Sequence, residues 1–135
     1  MLTRKARYAM LALSKLVQEY EKGPVAMSEI ARHKHIPQRF LEGILLQLKR
    51  CGYLGSARGV EGGYFLIKDP STVTVGEVIS HLDECMSFVS CLDCSLDEHC
   101  EFEQDPSSCG IRRIFSGINT YIDDTLSHTY LSELV

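Results

Sequence analysis

Nineteen residues, CLDCSLDEHCEFEQDPSSC from Cys91 to Cys109, restrict what this chain can fold into more than any other stretch. Four of the six cysteines lie there, at the spacing C-x2-C-x5-C-x8-C. Among them stand Asp93, Asp97, Glu98, Glu101, Glu103 and Asp105, and the one aromatic is Phe102. A segment so acidic has little apolar surface with which to build a core, so it needs an external organiser. Closely spaced soft thiolates suit a metal ion or an iron–sulfur cluster.

A length of 135 residues allows one domain with a real core, and at most an appendage. No apolar run approaches the ~18–20 residues a membrane span needs. The start, MLTRKARYAM, lacks the apolar centre and small-residue cleavage site of a signal peptide. The expected location is the cytoplasm, where thiols stay reduced and clustered cysteines mean metal or redox chemistry more often than disulfides.

The net charge of −4 conceals an asymmetry. Residues 1–70 carry twelve Lys/Arg against six Asp/Glu, whereas residues 71–135 carry two against twelve. A basic half suits a polyanion, and an acidic half faces elsewhere. The plainer reading is two solvated surfaces of drifting composition.

Apolar residues recur at helical spacing from residue 3 to 20, at Ala6, Ala9, Met10, Leu13, Leu16, Val17 and Tyr20. Gly23-Pro24 ends that helix. A short helix follows from about Met27 to His33, burying Met27, Ile30 and Ala31. After Lys34-His35-Ile36-Pro37 a third helix runs to about Cys51 on a stripe of Leu41, Ile44, Leu45 and Leu48. Pro37 suits its first turn and Gly52 its stop. Short helix, tight turn and helix is the helix-turn-helix plan, whose second helix enters the major groove.

Tyr53–Arg58 reads as a strand and Gly63–Ile67 as its partner, joined by the glycine-rich Gly59-Val60-Glu61-Gly62. A hairpin directly after a helix-turn-helix makes a winged helix. Arg58 at the hairpin tip is placed for a minor groove or a phosphate, against the plainer reading of a solvated loop arginine. Thr74-Val75-Gly76-Glu77 forms a capping box for a helix that buries Val75, Val78, Ile79 and Leu82. After the cysteines, Ser107 or Ser108 caps a longer helix with apolar residues at 111, 114, 115, 118, 122 and 126. That stripe packs either on a second copy of the chain or back on its own domain. The expected fold is mainly α: a winged helix-turn-helix with a two-stranded wing and a long C-terminal dimerisation helix. Its expected divisions are a DNA-binding domain at 1–84, a cysteine-rich sensor loop at 85–109, and the dimerisation helix with its tail at 110–135.

LTRKARYAMLAL, GPVAMSEIA, the wing RGVEGGYFLIKDPSTVTVGEVISHLDE and the terminal LSELV together resemble the bacterial IscR/NsrR family of winged-helix regulators. The resemblance covers nearly the whole chain. It implies a homodimer that binds a palindromic operator in double-stranded DNA and crosses a long helix between subunits. Many members of that family hold a two-iron, two-sulfur cluster on three loop cysteines. Others sense iron, nitric oxide or redox state, and cluster-free members respond to a protein partner of cysteine metabolism.

The match at the ligands is uneven. Cys100 and Cys109 fall where the second and third family cysteines fall, with x8 between them where x5 is common. The first is Cys91 or Cys94. IscR-like members place a ligand histidine where this chain has Arg112, and NsrR-like members place an aspartate where it has Arg7. A guanidinium stays protonated and cannot ligate, which leaves the extra cysteine as the candidate fourth ligand. All-cysteine ligation serves both 2Fe-2S, the expected cofactor, and 4Fe-4S, its alternative. Competing readings are a zinc site, which usually pairs two C-x2-C knuckles, a thiol switch on Cys91 and Cys94, or an ordinary loop. Cys51 and Cys85 read as small packed residues, and His99 as a solvated loop histidine.

The function so implied is a sequence-specific transcription regulator whose cluster sets DNA affinity. The expected DNA-contacting set is Lys5, Gln38, Arg39, Glu42, Arg58 and Gly59. Glu42 would accept from cytosine and repel phosphate. The alternative is a cluster-free regulator working by thiol switch or by binding a protein partner of cysteine or iron–sulfur metabolism. Catalysis is not expected, since no nucleophile–base pair or phosphate-cradling loop is present.

Overall fold

The structure, a computed structural model, describes residues 2–82 and 108–135. Five α-helices and one antiparallel hairpin occur among them: α1 (Arg4–Gln18), α2 (Met27–Lys34), α3 (Gln38–Arg50), β1 (Leu54–Ala57), β2 (Gly63–Leu66), α4 (Val75–Leu82) and α5 (Gly110–Ser127). A 3-10 turn, Leu131–Leu134, follows. The architecture is the mainly α winged helix expected above.

Helix α1 is the central post. Thr3 caps it by accepting the Ala6 N–H at 3.1 Å, and its buried face is Ala6, Ala9, Ala12, Leu13, Leu16 and Val17. The small residues let α2, α3 and the terminal turn approach closely. One flank also buries Lys15, which reaches Glu19 at 2.9 Å and Glu29 at 3.5 Å. The Glu19 bond is the main reason its pKa is raised. A buried ammonium needs such partners to offset its desolvation. Helix α3 turns Leu41, Ile44, Leu45 and Leu48 inward. Between α2 and α3, His35 takes the left-handed conformation at φ 53, one that histidine tolerates better than most residues.

The hairpin pairs Leu54 with Leu66 and Ala57 with Gly63. It is shorter than the sequence suggests, because Tyr53 and Ile67 make a single outlying bond, Ile67 N–H to Tyr53 O. Val25 and Tyr64 exchange both backbone bonds at 2.8 Å, which ties the base of the wing to the segment before α2. Gly63 makes this approach feasible: a Cβ there would collide with the Val25 carbonyl.

Three local expectations change. The capping box at Thr74 is half-formed. Thr74 Oγ1 accepts the Glu77 N–H at 3.1 Å, but the Glu77 carboxylate turns to the buried Tyr53 hydroxyl, a partner only tertiary packing supplies. Met27 is half-buried rather than core. Helix α5 has Cys109 as its N-cap, with no side-chain cap bond. Ser107 lies outside the described residues.

The chain end joins the core. Leu131 is fully buried, its N–H donates to Val73 O, and Ser132 N–H donates to Pro70 O. Thr74 and Tyr130 form a β-bridge, and Val75 N–H donates to Thr129 O. The terminal turn therefore packs beside α1 and the start of α4.

Candidate nucleic-acid interface

The face of α3 opposite its buried stripe carries Gln38, Arg39, Glu42, Gly43, Leu46 and Arg50, all exposed. Arg39 lies over the Phe40 ring, 4.8 Å from its centroid, and Phe40 packs on Tyr8 of α1 at 6.3 Å between centroids. At its other end α3 is pinned to the wing, Lys49 Nζ donating to Ser56 Oγ at 2.6 Å. Arg58 and Gly59 sit at the exposed hairpin tip, with Gly59 at φ 108. Helix and wing thus present Arg39, Arg50 and Arg58 from adjoining elements.

Lys5 is placed differently from a free phosphate contact. Its ammonium donates to the Leu82 carbonyl at 3.1 Å. Gln47 of α3 donates to the neighbouring His81 carbonyl, also at 3.1 Å. Terminal helix carbonyls have no partner within the helix. Here those of α4 are taken by side chains from α1 and α3.

Both turns of α4 hold the base of the wing, through Glu77 in the first and His81 in the last. Tyr53, 1% exposed, brings its hydroxyl to Glu77 Oε1 at 2.9 Å and to His81 Nδ1 at 2.8 Å. His81 Nδ1 also lies 2.8 Å from the Glu77 carbonyl. A carbonyl only accepts, so Nδ1 carries the proton and Tyr53 donates to the carboxylate. Lys68 stands 4.8 Å over the Tyr53 ring and 3.8 Å from Glu77. Burial first, then the Glu77 bond, pushes the Tyr53 phenol well above the ordinary tyrosine range. Lys5, Gln47 and Tyr53 therefore meet the last turn of α4, where the chain leaves for the cysteines, while Lys68 meets its first turn at Glu77. The sequence marks none of these partnerships, since each joins residues far apart along the chain.

Of the cysteine set, Cys91, Cys94, Cys100 and also Cys85 lie outside the described residues. Cys109 is half-buried at the N-terminus of α5. The first turn of that helix carries no acid but has Arg112 and Arg113. Neither is a ligand. A helix N-terminus with two guanidinium groups does favour a negatively charged group bound there, which fits the anionic character of a thiolate-ligated cluster. Cys51 is half-buried against the core, as a packed residue would be. Among the described residues no three potential ligands converge.

A family model described as Rrf2, an iron-dependent transcriptional regulator, matches residues 2–135. The chain belongs to the Rrf2 family. An HTH-type regulator of rrf2-like type from Rhodobacter capsulatus is 37% identical over 121 residues, covering 87% of this chain and 81% of that protein. The HTH-type transcriptional regulator IscR of Escherichia coli K12 is 40% identical over 90 residues, covering 67% of this chain but 56% of the relative. Among solved structures, CymR of B. subtilis, described as the global cysteine regulator, superposes with TM-score 0.80 at 27% identity, over 99% of this chain and 95% of that one. IscR of T. potens has the same fold, with TM-score 0.77 at 22% identity over 99% of this chain and 85% of the other. These relatives are regulators and not enzymes, and this Rrf2 protein is a DNA-binding transcriptional regulator. No described helix is long and apolar enough to cross a membrane.

Proposed function

We propose that this protein is a cytoplasmic, homodimeric regulator whose affinity for a palindromic operator is set by an iron–sulfur cluster bound through Cys91, Cys94, Cys100 and Cys109. The observation that carries the reading is the pairing of that four-thiol spacing with Cys109 at the arginine-flanked N-terminus of α5. A cluster, when bound, supplies sensitivity to iron supply, oxidants or nitric oxide. The protein's own part is mechanical. The segment leaving Leu82 and rejoining at Cys109 holds both ends of the path between α4 and α5. A change in its state moves the last turn of α4, and with it the contacts of Leu82 to Lys5 and of His81 to Gln47 and Tyr53. Gln38, Arg39 and Glu42 read base edges, while Arg58 and Gly59 enter the minor groove or meet a phosphate. Lys5 exchanges between the Leu82 carbonyl and a phosphate. The exposed Ile111, Ile114, Ile118 and Tyr121 face of α5 packs on a second copy.

Similarity to a cysteine regulator supports a second reading, in which the same loop works without metal, as a thiol switch or through a protein partner of cysteine metabolism. The experiment is anaerobic purification with iron and sulfide counted per chain and the visible spectrum recorded. Cys100→Ala and Cys109→Ala should each abolish iron retention, and Cys51→Ala and Cys85→Ala should keep it. If Cys91→Ala and Cys94→Ala both lose iron, ligation is all-cysteine; if only one does, three cysteines and a further ligand hold it. A colourless product that resists reconstitution overturns the cluster reading in favour of the metal-free one.

A further inference from the structure

Gly43 stands in the middle of α3, where glycine weakens a helix by roughly 0.5–1 kcal/mol relative to alanine. Nothing in the fold requires it. A Cβ built at that position meets no atom within 4 Å, and its backbone is ordinary helix. The buried stripe lies on the other side of the helix, so Gly43 occupies the centre of the outward face, between Arg39 and Gln47 one turn either way. Beside it opens a cleft of about 500 Å³ between α3 and the start of α1. Phe40, Ile44 and Tyr8 give it apolar walls, and Arg4, Lys5 and Arg39 stand at it with positive charge. A missing side chain that costs helix stability and clears no internal clash makes room for something outside the protein. On the recognition helix of a DNA-binding regulator, flanked by cations that match phosphates, that something is the duplex.

We propose that Gly43 is a specificity-determining residue: its bare backbone and the adjoining apolar wall of Phe40 form a recess that receives the 5-methyl group of one thymine in each operator half-site. The methyl is the one apolar feature a base pair offers in the major groove. Arg39 beside the recess then reaches the neighbouring base or phosphate, and Arg4 holds the backbone outside it. This rests on α3 being the element that enters the major groove.

The test starts from random duplexes selected with the purified full-length protein, followed by titration of the selected duplex. Each thymine is then replaced singly by deoxyuridine, which deletes only the methyl. One thymine per half-site should weaken wild-type binding about fourfold, the worth of one buried methyl-sized group. Gly43→Leu, which fills the recess, should lose that dependence and select a different base there. Gly43→Ala should raise the thermal midpoint by about 2–6 °C, confirming that the glycine serves no folding role, and keeps the test interpretable if the leucine variant folds poorly. Uniform tolerance of uracil, or unchanged base selection by Gly43→Leu, overturns the proposal. Equal weakening on every duplex would put the recess against the sugar–phosphate backbone and also overturn it. A wild-type protein that selects no sequence at all would instead refute α3 as the reading element.

Discussion

Two residues bear on function in opposite ways, one by being exposed and the other by being buried. Arg58 sits at the wing tip with no fold-related partner among the described contacts. Arg58→Ala should weaken operator binding by about 1–3 kcal/mol while leaving the thermal unfolding curve in place. Normal binding by that variant would show that the wing does not touch DNA. Tyr53 is the buried counterpart. Its hydroxyl donates a hydrogen bond to Glu77, and Tyr53→Phe should cost about 1–2 kcal/mol at neutral pH. The pH dependence has a definite sign. The folded state raises the phenol's pKa, so this contribution is complete below about pH 10 and is lost as pH rises above it. Lys15 is also raised and adds alkaline sensitivity of the same sign. The steepness that Tyr53→Phe removes from a plot of stability against pH isolates the tyrosine. Identical alkaline curves for the two proteins would contradict the buried hydrogen bond.

At the scale of elements, α4 is short, and the two carbonyls that end it are held by other parts of the molecule. Gln47 comes from the recognition helix, Lys5 from α1, and both act where the cysteine segment begins. Gln47→Ala should therefore leave the protein folded and able to bind DNA, yet narrow the ratio of operator affinities between cluster-loaded and cluster-free protein. The measurement is a pair of anaerobic titrations for each protein. A ratio unchanged from wild type would mean that α4 does not communicate with α3 through this bond. Helix α5 presents the contrary case: Leu126 near its end packs against the core, but Ile111, Ile114, Ile118 and Tyr121 are exposed. Exposed isoleucines repeated on one helix face call for a covering surface. Ile114→Glu combined with Ile118→Glu should halve the mass measured by light scattering and weaken operator binding, because two half-sites are then read separately. A variant that remains dimeric would put the interface elsewhere.

Over the whole molecule, the basic first seventy residues hold the helix-turn-helix and wing, while acidic side chains dominate the remainder. Binding should consequently be steep in salt. A dimer neutralising ~6–10 phosphates loses ~10³–10⁵ in affinity between 50 and 200 mM salt. A flat dependence would mean that few phosphates are met. The amino-acid sequence alone determined the elements whose signals are periodic or local. The stripe of Leu41, Ile44, Leu45 and Leu48 sets α3, glycines set the wing, and the family motifs tie these to a regulator. The thiol spacing is equally legible, although its ligation is a matter of chemistry that spacing only suggests. Tertiary structure alone decided what joins residues distant in the chain. Glu77 abandons half of a capping box for Tyr53, Lys5 caps α4, and Leu131 at the chain end enters the core. Local patterns record which face of an element is apolar. They carry no record of which buried hydroxyl or orphan carbonyl another element will satisfy, because that partner exists only once the elements have packed.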